Sequence, residues 1–372
     1  MNMRRLRTPM YSARMRRYPR VPNTLRELTR VLLNTPRLSA TVDGTENLYA
    51  WSITATDGSH HIAFFSPRML TFMKKIKFVQ SDGTFKSRPM APHSAQVYVI
   101  VTTWRKHVVP LGWFLMERKS LSAYRAVFSL LKNICPDFKP EVIMSDWEHS
   151  QQLAWQEAFP NASLQGCLWH LSRAFIKKAR KLRLMRFRKT LPDLFTYIRQ
   201  ACAIALLPVE FFNVGLNILK EKVLENDILM AFLLHPFFTY VERRWINNAR
   251  RRNWMSLFES VERTNNSCES HNRMLRSAVG AHRPNVFLFI EALDKLEHNA
   301  SLDAEYMGQG GHVVRSRRWS TLLADDMLNS LALDLNGDLF NDLGETVYNY
   351  LRRASHLFQG AFEQHLEREG CA

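Results

Sequence analysis

The run Ile76-Lys77-Phe78-Val79-Gln80-Ser81-Asp82-Gly83-Thr84-Phe85 alternates apolar and polar side chains up to an aspartate, which is the pattern of a half-buried strand ending on an acid. Val142-Ile143-Met144-Ser145-Asp146, after Pro140, is a continuous apolar run that also ends on an aspartate. An acid at the tip of a buried strand is costly unless it is paired or binds a metal. If the two strands lie side by side, both carboxylates reach one edge of the sheet. Glu269, from Thr264-Asn265-Asn266-Ser267-Cys268-Glu269-Ser270, can join them there. Three hard oxygen ligands suit Mg²⁺ or Mn²⁺. Each acid also has a plainer reading. An Asp after a strand is commonly a turn former or helix N-cap, and Asn266 with Glu269 three places later has the spacing of a variant capping box. Spacing alone leaves both readings open.

Working outward, strand signals at 76–85, 96–103 and 108–116 are close enough for an antiparallel meander. The helix Ser122–Ile134 has Tyr124, Val127, Phe128 and Leu131 on one face, and the strand at 141–146 follows. A helical connection permits that strand to lie parallel beside the first. A helix over Glu148–Ala158 and a short strand near Leu164–Leu168 complete the first block. Residues 171 to about 258 read as almost wholly helical, with a stop at His235-Pro236, and the interval from Asp146 to Glu269 is far longer than a crossover needs. Beyond Glu269 its helix runs to Gly280 and Pro284. Val286, Phe289, Ile290, Leu293 and Leu296 then mark an amphipathic helix packing against the sheet.

The wording around the acids is more specific than their spacing. Ser81-Asp82-Gly83-Thr84-Phe85, Val109-Pro110-Leu111-Gly112-Trp113-Phe114-Leu115-Met116, Ile143-Met144-Ser145-Asp146, Ala158-Phe159-Pro160, Gly166-Cys167-Leu168-Trp169-His170 and Thr264-Asn265-Asn266 through Glu269-Ser270-His271-Asn272 occur in that order. This set resembles the Mutator-like (MULE) transposase domain, over about residues 76 to 300. The resemblance implies an α/β, ribonuclease-H-like (DDE transposase) core with a mixed five-stranded sheet, interrupted by an all-helical insertion. It also implies a catalytic, metal-binding triad at Asp82, Asp146 and Glu269, with Cys167 and His170 as the C-x-x-H signature beside the site. Two Mg²⁺ (or Mn²⁺) ions about 4 Å apart would then promote cleavage and strand transfer at transposon ends. Members usually carry a DNA-binding zinc module ahead of the catalytic domain. None is visible before Asp82, where the first 75 residues contain no cysteine. The competing class is a domesticated, non-catalytic transcription regulator that binds DNA.

Composition agrees with a nucleic-acid partner. Lys and Arg number 51 against 34 Asp and Glu, for a net charge of +17 and a pI near 9.9, which favours polyanions such as double-stranded DNA. No apolar stretch reaches the roughly 18 residues a membrane span needs, and no signal core opens the chain. The scattered cysteines form no disulfide framework, as in a reducing compartment; the nucleus is the expected location, with a homo-oligomer an open option. Arg173, Lys177, Lys178, Arg180, Lys181, Arg183, Arg186, Arg188 and Lys189 follow one another without an intervening acid and read as one helix tracking phosphates, or as a solvated basic face. The cluster Arg243 to Arg252 adds Trp245 and Trp254, which either stack on bases or anchor helices. Cys167-x-x-His170 recurs as Cys268-x-x-His271, so a four-ligand zinc site is a further alternative. Asp334 to Asp338 lacks the glycine a calcium loop needs, since Leu339 stands there. The expected organisation is a disordered basic arm at 1–45, core at 46–170, helical insertion at 171–258, core with the Glu at 259–300 and a helical extension at 301–372. Arginines 4, 5, 7, 14, 16, 17, 20 and 26 give the arm its charge, as a nuclear-import or DNA-tracking element, a transit segment or a plain tail.

Overall fold

The computed structural model describes residues 16–372 except 261, 281–282, 314–318, 339–341 and 371–372. Arg4, Arg5, Arg7 and Arg14 of the basic arm lie outside the described residues. The chain divides into two compact units, the first comprising Met1–Ile143, Glu148–Ala162 and Asn266–Val314, the second Met144–Trp147, Ser163–Asn265 and Arg315–Ala372.

The strands are β1 (Tyr49–Thr54), β2 (His60–Phe64), β3 (Phe78–Thr84), β4 (Gln96–Trp104), β5 (His107–Met116), β6 (Val142–Ser145) and β7 (Ser163–Gly166). The first unit holds them in the order β1-β2-β5-β4-β3, with the start of β6 next to β3. The end of β6 and its neighbour β7 count with the second. The sheet therefore has seven strands instead of the five expected. β3, β4 and β5 form the antiparallel meander read from the sequence, and β2 and β1 extend it antiparallel beyond β5. Val142 N–H donates to Lys77 O, so β6 begins beside the residue that precedes β3.

Helices α1 (Leu25–Asn34), α2 (Pro67–Met73), α3 (Leu121–Ile134) and α4 (His149–Ala158) belong to the first unit. The second contains α5 (Leu168–Lys181), α6 (Pro192–Ala203), α7 (Phe212–Asn226), α8 (Ile228–Val241) and α9 (Ala249–Met255). The chain returns to the first with α10 (Asn266–Val279) and α11 (Val286–Gly308), and α12 (Trp319–Asp338), α13 (Leu343–Leu357) and α14 (Gln359–Gly370) lie in the second.

In the first unit both faces of the sheet are covered. Val97, Val99 and Val101 of β4, with Trp113 and Leu115 of β5, pack against Leu25, Leu28 and Leu32 of α1, Leu275 of α10 and Phe289, Ile290 and Leu293 of α11. Tyr98, pointing the other way as the strand period requires, meets Tyr124 and Phe128 of α3, and Phe128 stacks on Trp155 of α4 at 3.9 Å between ring centroids. Ser81 Oγ accepts from Gln151 Nε2 at 3.2 Å and from Trp155 Nε1 at 3.1 Å, which ties α4 to β3 one residue before Asp82.

Three sequence expectations need correction. Residues 25–34 are no disordered arm: Thr24 Oγ1 caps α1, and Leu25, Leu28 and Leu32 sit in the core. Pro236 does not stop a helix, since α8 runs through it to Val241; the carbonyl that loses its donor belongs to Phe232, which is 77% exposed and open to water. The basic run is not one helix, because α5 ends at Lys181 and Arg183 adopts φ 58°, after which Leu184–Phe187 forms a short 3₁₀ turn. In keeping with the rejection of a calcium loop from the sequence, Asp334–Asp338 is helical, part of α12; Leu339 lies outside the described residues. No helix among the described residues is long and apolar enough to cross a membrane.

Gly112 illustrates how closely the sheet is packed. A Cβ there would lie 2.2 Å from the Phe65 ring, which has no room to retreat because Phe65 is 1% exposed and packs edge-on against Phe114. Gly112→Ala is expected to cost about 1–3 kcal/mol as overpacking, read as a lower urea midpoint at unchanged slope.

Candidate active site

In the first unit, Asp82 lies near the end of β3 and is half-buried. Its Oδ1 accepts from the Gly83 N–H at 2.7 Å and its Oδ2 from Asn272 Nδ2 at 2.9 Å. Gly83 has to be small, because a Cβ there would meet Gln96 Oε1 at 2.1 Å, and the Gln96 amide is held by the Tyr124 hydroxyl.

Asn272 comes from α10, one turn beyond Glu269, so the two project from the same side of the helix. The helix is seated on the sheet by Trp113 Nε1, which donates to His271 Nε2 at 2.9 Å, and by a 3.1 Å contact between the Thr103 and Ser267 hydroxyls. Burial pushes the His271 pKa down to about 3, so the ring is a neutral acceptor. Cys268 is fully buried in the same core. Both side chains thus pack into the core of the first unit. The capping-box reading of Glu269 does not hold. α10 begins at Asn266, which leaves Asn265 at the cap position, and Glu269 is half-buried with no hydrogen bond or ion pair among the described residues.

In the second unit, Asp146 follows β6 and meets the C-x-x-H motif. His170 Nδ1 lies 2.8 Å from Asp146 Oδ1, and Asn265 Nδ2 donates to the same oxygen at 2.7 Å. The Cys167 thiol donates to Asn265 Oδ1 at 3.2 Å and accepts from the Asn265 N–H at 3.4 Å. Burial opposes a charged ring at His170, but Asp146 and Cys167 outweigh it and push its pKa up to about 11. The ring is therefore an imidazolium paired with a carboxylate. Trp147 covers Gly166, where a Cβ would lie 2.1 Å from the indole, and donates from Nε1 to Cys167 O at 3.0 Å.

Each predicted acid is thus placed beside a polar partner or at an accessible helix end. Among the described residues, no three His, Cys, Asp or Glu side chains gather closely enough to hold a metal ion. The sequence reading missed Asn265 and Asn272 as site residues, although both stand inside the quoted T-N-N…E…N wording. An amide at a matched position near an acid is the signal that would have found them.

The basic residues divide by surroundings. Arg173, Lys177, Arg180 and Lys181 of α5 are exposed, whereas Lys178 is half-buried with its ammonium over the Tyr240 ring at 5.1 Å. Leu171, Phe175, Ile176 and Ala179 bury the opposite face. Trp245 and Trp254 are core anchors and not platforms for bases, being 1% and 5% exposed; Trp245 meets Trp147 and Phe175 edge-on.

Residues 78–174 match the family model described as MULE transposase domain, and no curated protein matches the chain. The matched segment begins with β3 and ends within α5, before Glu269 is reached. Asp82, Asp146, Cys167 and His170 all lie within the segment that is similar to the MULE transposase domain.

Proposed function

We propose that the chain is a DDE transposase of the ribonuclease-H-like type that cleaves DNA at transposon ends and joins the freed 3′-hydroxyls to target DNA. The observation that carries this reading is the match over Asp82 and Asp146 together with the Cys167–Asn265–Asp146–His170 network, in which the motif's residues converge on one of the two acids. Hard carboxylate oxygens suit divalent magnesium or manganese. The Asp146 Oδ2 and the Glu269 carboxylate accept no hydrogen bond among the described residues and are available as donors. Asp82, Asp146 and Glu269 would hold the metal, which when bound supplies charge stabilisation and a more acidic attacking hydroxyl. The chain's own residues do the rest. Asn272 and the Gly83 N–H orient Asp82, His170 balances the charge of Asp146, and exposed Arg173, Lys177, Arg180 and Lys181 bind phosphates. No covalent enzyme intermediate is needed.

Asp82→Asn, Asp146→Asn and Glu269→Gln are each expected to abolish Mg²⁺-dependent nicking of supercoiled plasmid. Their stabilities should differ. Asp82→Asn and Glu269→Gln leave the melting temperature nearly unchanged, while Asp146→Asn lowers it by removing the partner of His170. Because the folded pKa of His170 is raised from 6.5 to about 11, that stabilisation is complete below pH 6.5 and fades as pH rises towards 11. The deficit of Asp146→Asn should therefore be larger at pH 6 than at pH 9.5. Full nicking activity in Glu269→Gln would remove that residue from the triad, and tight DNA binding with no nicking by the wild type would favour the regulator.

Replacing Arg173, Lys177, Arg180 and Lys181 together by Gln should weaken binding to all duplex sequences alike. It should also flatten the dependence of log affinity on log salt by roughly 0.9 per lost phosphate contact. Lys178→Gln, with its ammonium on Tyr240, should leave the slope unchanged. Fluorescence anisotropy at several salt concentrations measures both, and equal slopes in the quadruple variant would make this face merely solvated.

A further inference from the structure

We infer that Asn265 and Asn272 are positioning residues, each fixing the orientation of one acid through an amide N–H. This rests on the reading of Asp82 and Asp146 as metal-binding acids.

An ionised carboxylate offers about four acceptor sites on two oxygens, and a metal ligand has to keep some of them open in a fixed direction. At Asp146 both neighbours take the same oxygen. Asn265 Nδ2 donates to Oδ1 at 2.7 Å and His170 Nδ1 approaches it at 2.8 Å, leaving Oδ2 without a donor among the described residues. At Asp82 the Gly83 N–H takes Oδ1 and Asn272 Nδ2 takes Oδ2, so the carboxylate is clamped from two sides.

An asparagine works in this way only if its amide cannot flip, because the flipped form would turn a carbonyl oxygen onto a carboxylate. At position 265 Cys167 prevents the flip. Its thiol donates to Oδ1 at 3.2 Å, while its sulfur accepts the Asn265 main-chain N–H at 3.4 Å. Cys167 and Asn265 are both fully buried, so water offers no substitute partner. Cys167 therefore acts on Asp146 through Asn265, and this gives the cysteine of the C-x-x-H motif a task that needs no metal on sulfur. Asn272 is 7% exposed and its Oδ1 has no hydrogen-bond partner. Retaining a costly buried amide there is explained by the bond its other end makes to Asp82.

The test compares the wild type with Asn265→Ala, Asn272→Ala, Cys167→Ala and Cys167→Ser. Mn²⁺ affinity is followed by electron paramagnetic resonance of the free ion, alongside kcat and KM for plasmid nicking. Loss of an outer partner of a metal ligand typically costs about 10- to 100-fold. Asn265→Ala and Asn272→Ala are each expected to weaken Mn²⁺ binding and lower kcat within that range, at unchanged KM for DNA. Cys167→Ala should resemble Asn265→Ala, and Cys167→Ser, which keeps an O–H donor, should recover most of the loss. Should Asn265→Ala fail to fold, as judged by circular dichroism, Asn272→Ala and the Cys167 pair decide the matter. Wild-type Mn²⁺ affinity in the folded asparagine variants, a change confined to KM, or no recovery in Cys167→Ser would overturn the inference. Asp82→Asn and Asp146→Asn separate the two layers. If they weaken Mn²⁺ binding and the asparagine variants do not, only the positioning role falls; if they bind Mn²⁺ like the wild type, the metal-site reading falls and takes this inference with it.

Discussion

The hydrogen bond from Trp113 to His271 fixes how α10 lies on the sheet of the first unit, and much of the candidate site follows from it. Both rings are buried, and an unmatched donor or acceptor in such a place costs about 1–3 kcal/mol. The helix therefore has one favoured rotation about its axis. Ser267, one turn earlier on the same face, meets Thr103 and confirms that rotation along the helix. With His271 turned into the core, the next residue, Asn272, emerges beside β3 and reaches Asp82, while Glu269 remains on the half-buried shoulder. A histidine that resembled a metal ligand in the sequence is instead a neutral acceptor, because burial holds its pKa far below the usual imidazole range.

Much of this was legible in the residues, and the exceptions have physical causes. β3 to β7, α3, α4 and α11 stand close to where the sequence places them, and in α3 and α11 the apolar positions that mark the stripe are buried. β1 and β2 escaped because β1 is only partly buried along its length and β2 opens on His60 and His61, whose burial relies on hydrogen bonds to Thr54, Thr29 and Ser59. The Asp57-Gly58 pair between them, with Gly58 at φ 80°, is a hairpin signal that went unread. α1 was hidden by the arginines around it, although Thr24 with Leu25, Leu28 and Leu32 carries both a cap and a helical stripe.

Charge was the least readable property. Nine cations in sequence suggested one continuous helix, yet nothing in their spacing marks Arg183 as the residue that turns left-handed and ends it. Nor does a string of Lys and Arg tell which members lean on aromatic rings, as Lys178 does on Tyr240 and Arg251 on Trp245. Long cationic side chains bury their stems where apolar surface is at hand, and that is a property of the packed structure alone. At the acids the reverse holds. The partners Asn265, Asn272, Cys167 and His170 all fall within motif wording, because each works at a set distance along the chain from an element end.

The segment from Asn265 to Asn272 is intolerant of changes in length. Each residue of a helix advances the chain by about 1.5 Å and turns it by about 100°, so deleting one codon between Ser267 and His271 would rotate Asn272 away from Asp82 or pull His271 off Trp113. The apolar faces of the sheet and of α11 would still be present to fold. A reading-frame-preserving deletion here would therefore leave a chain that accumulates as a compact protein with its polar clamp dismantled, a lesion that residue-by-residue comparison of the acids would score as intact.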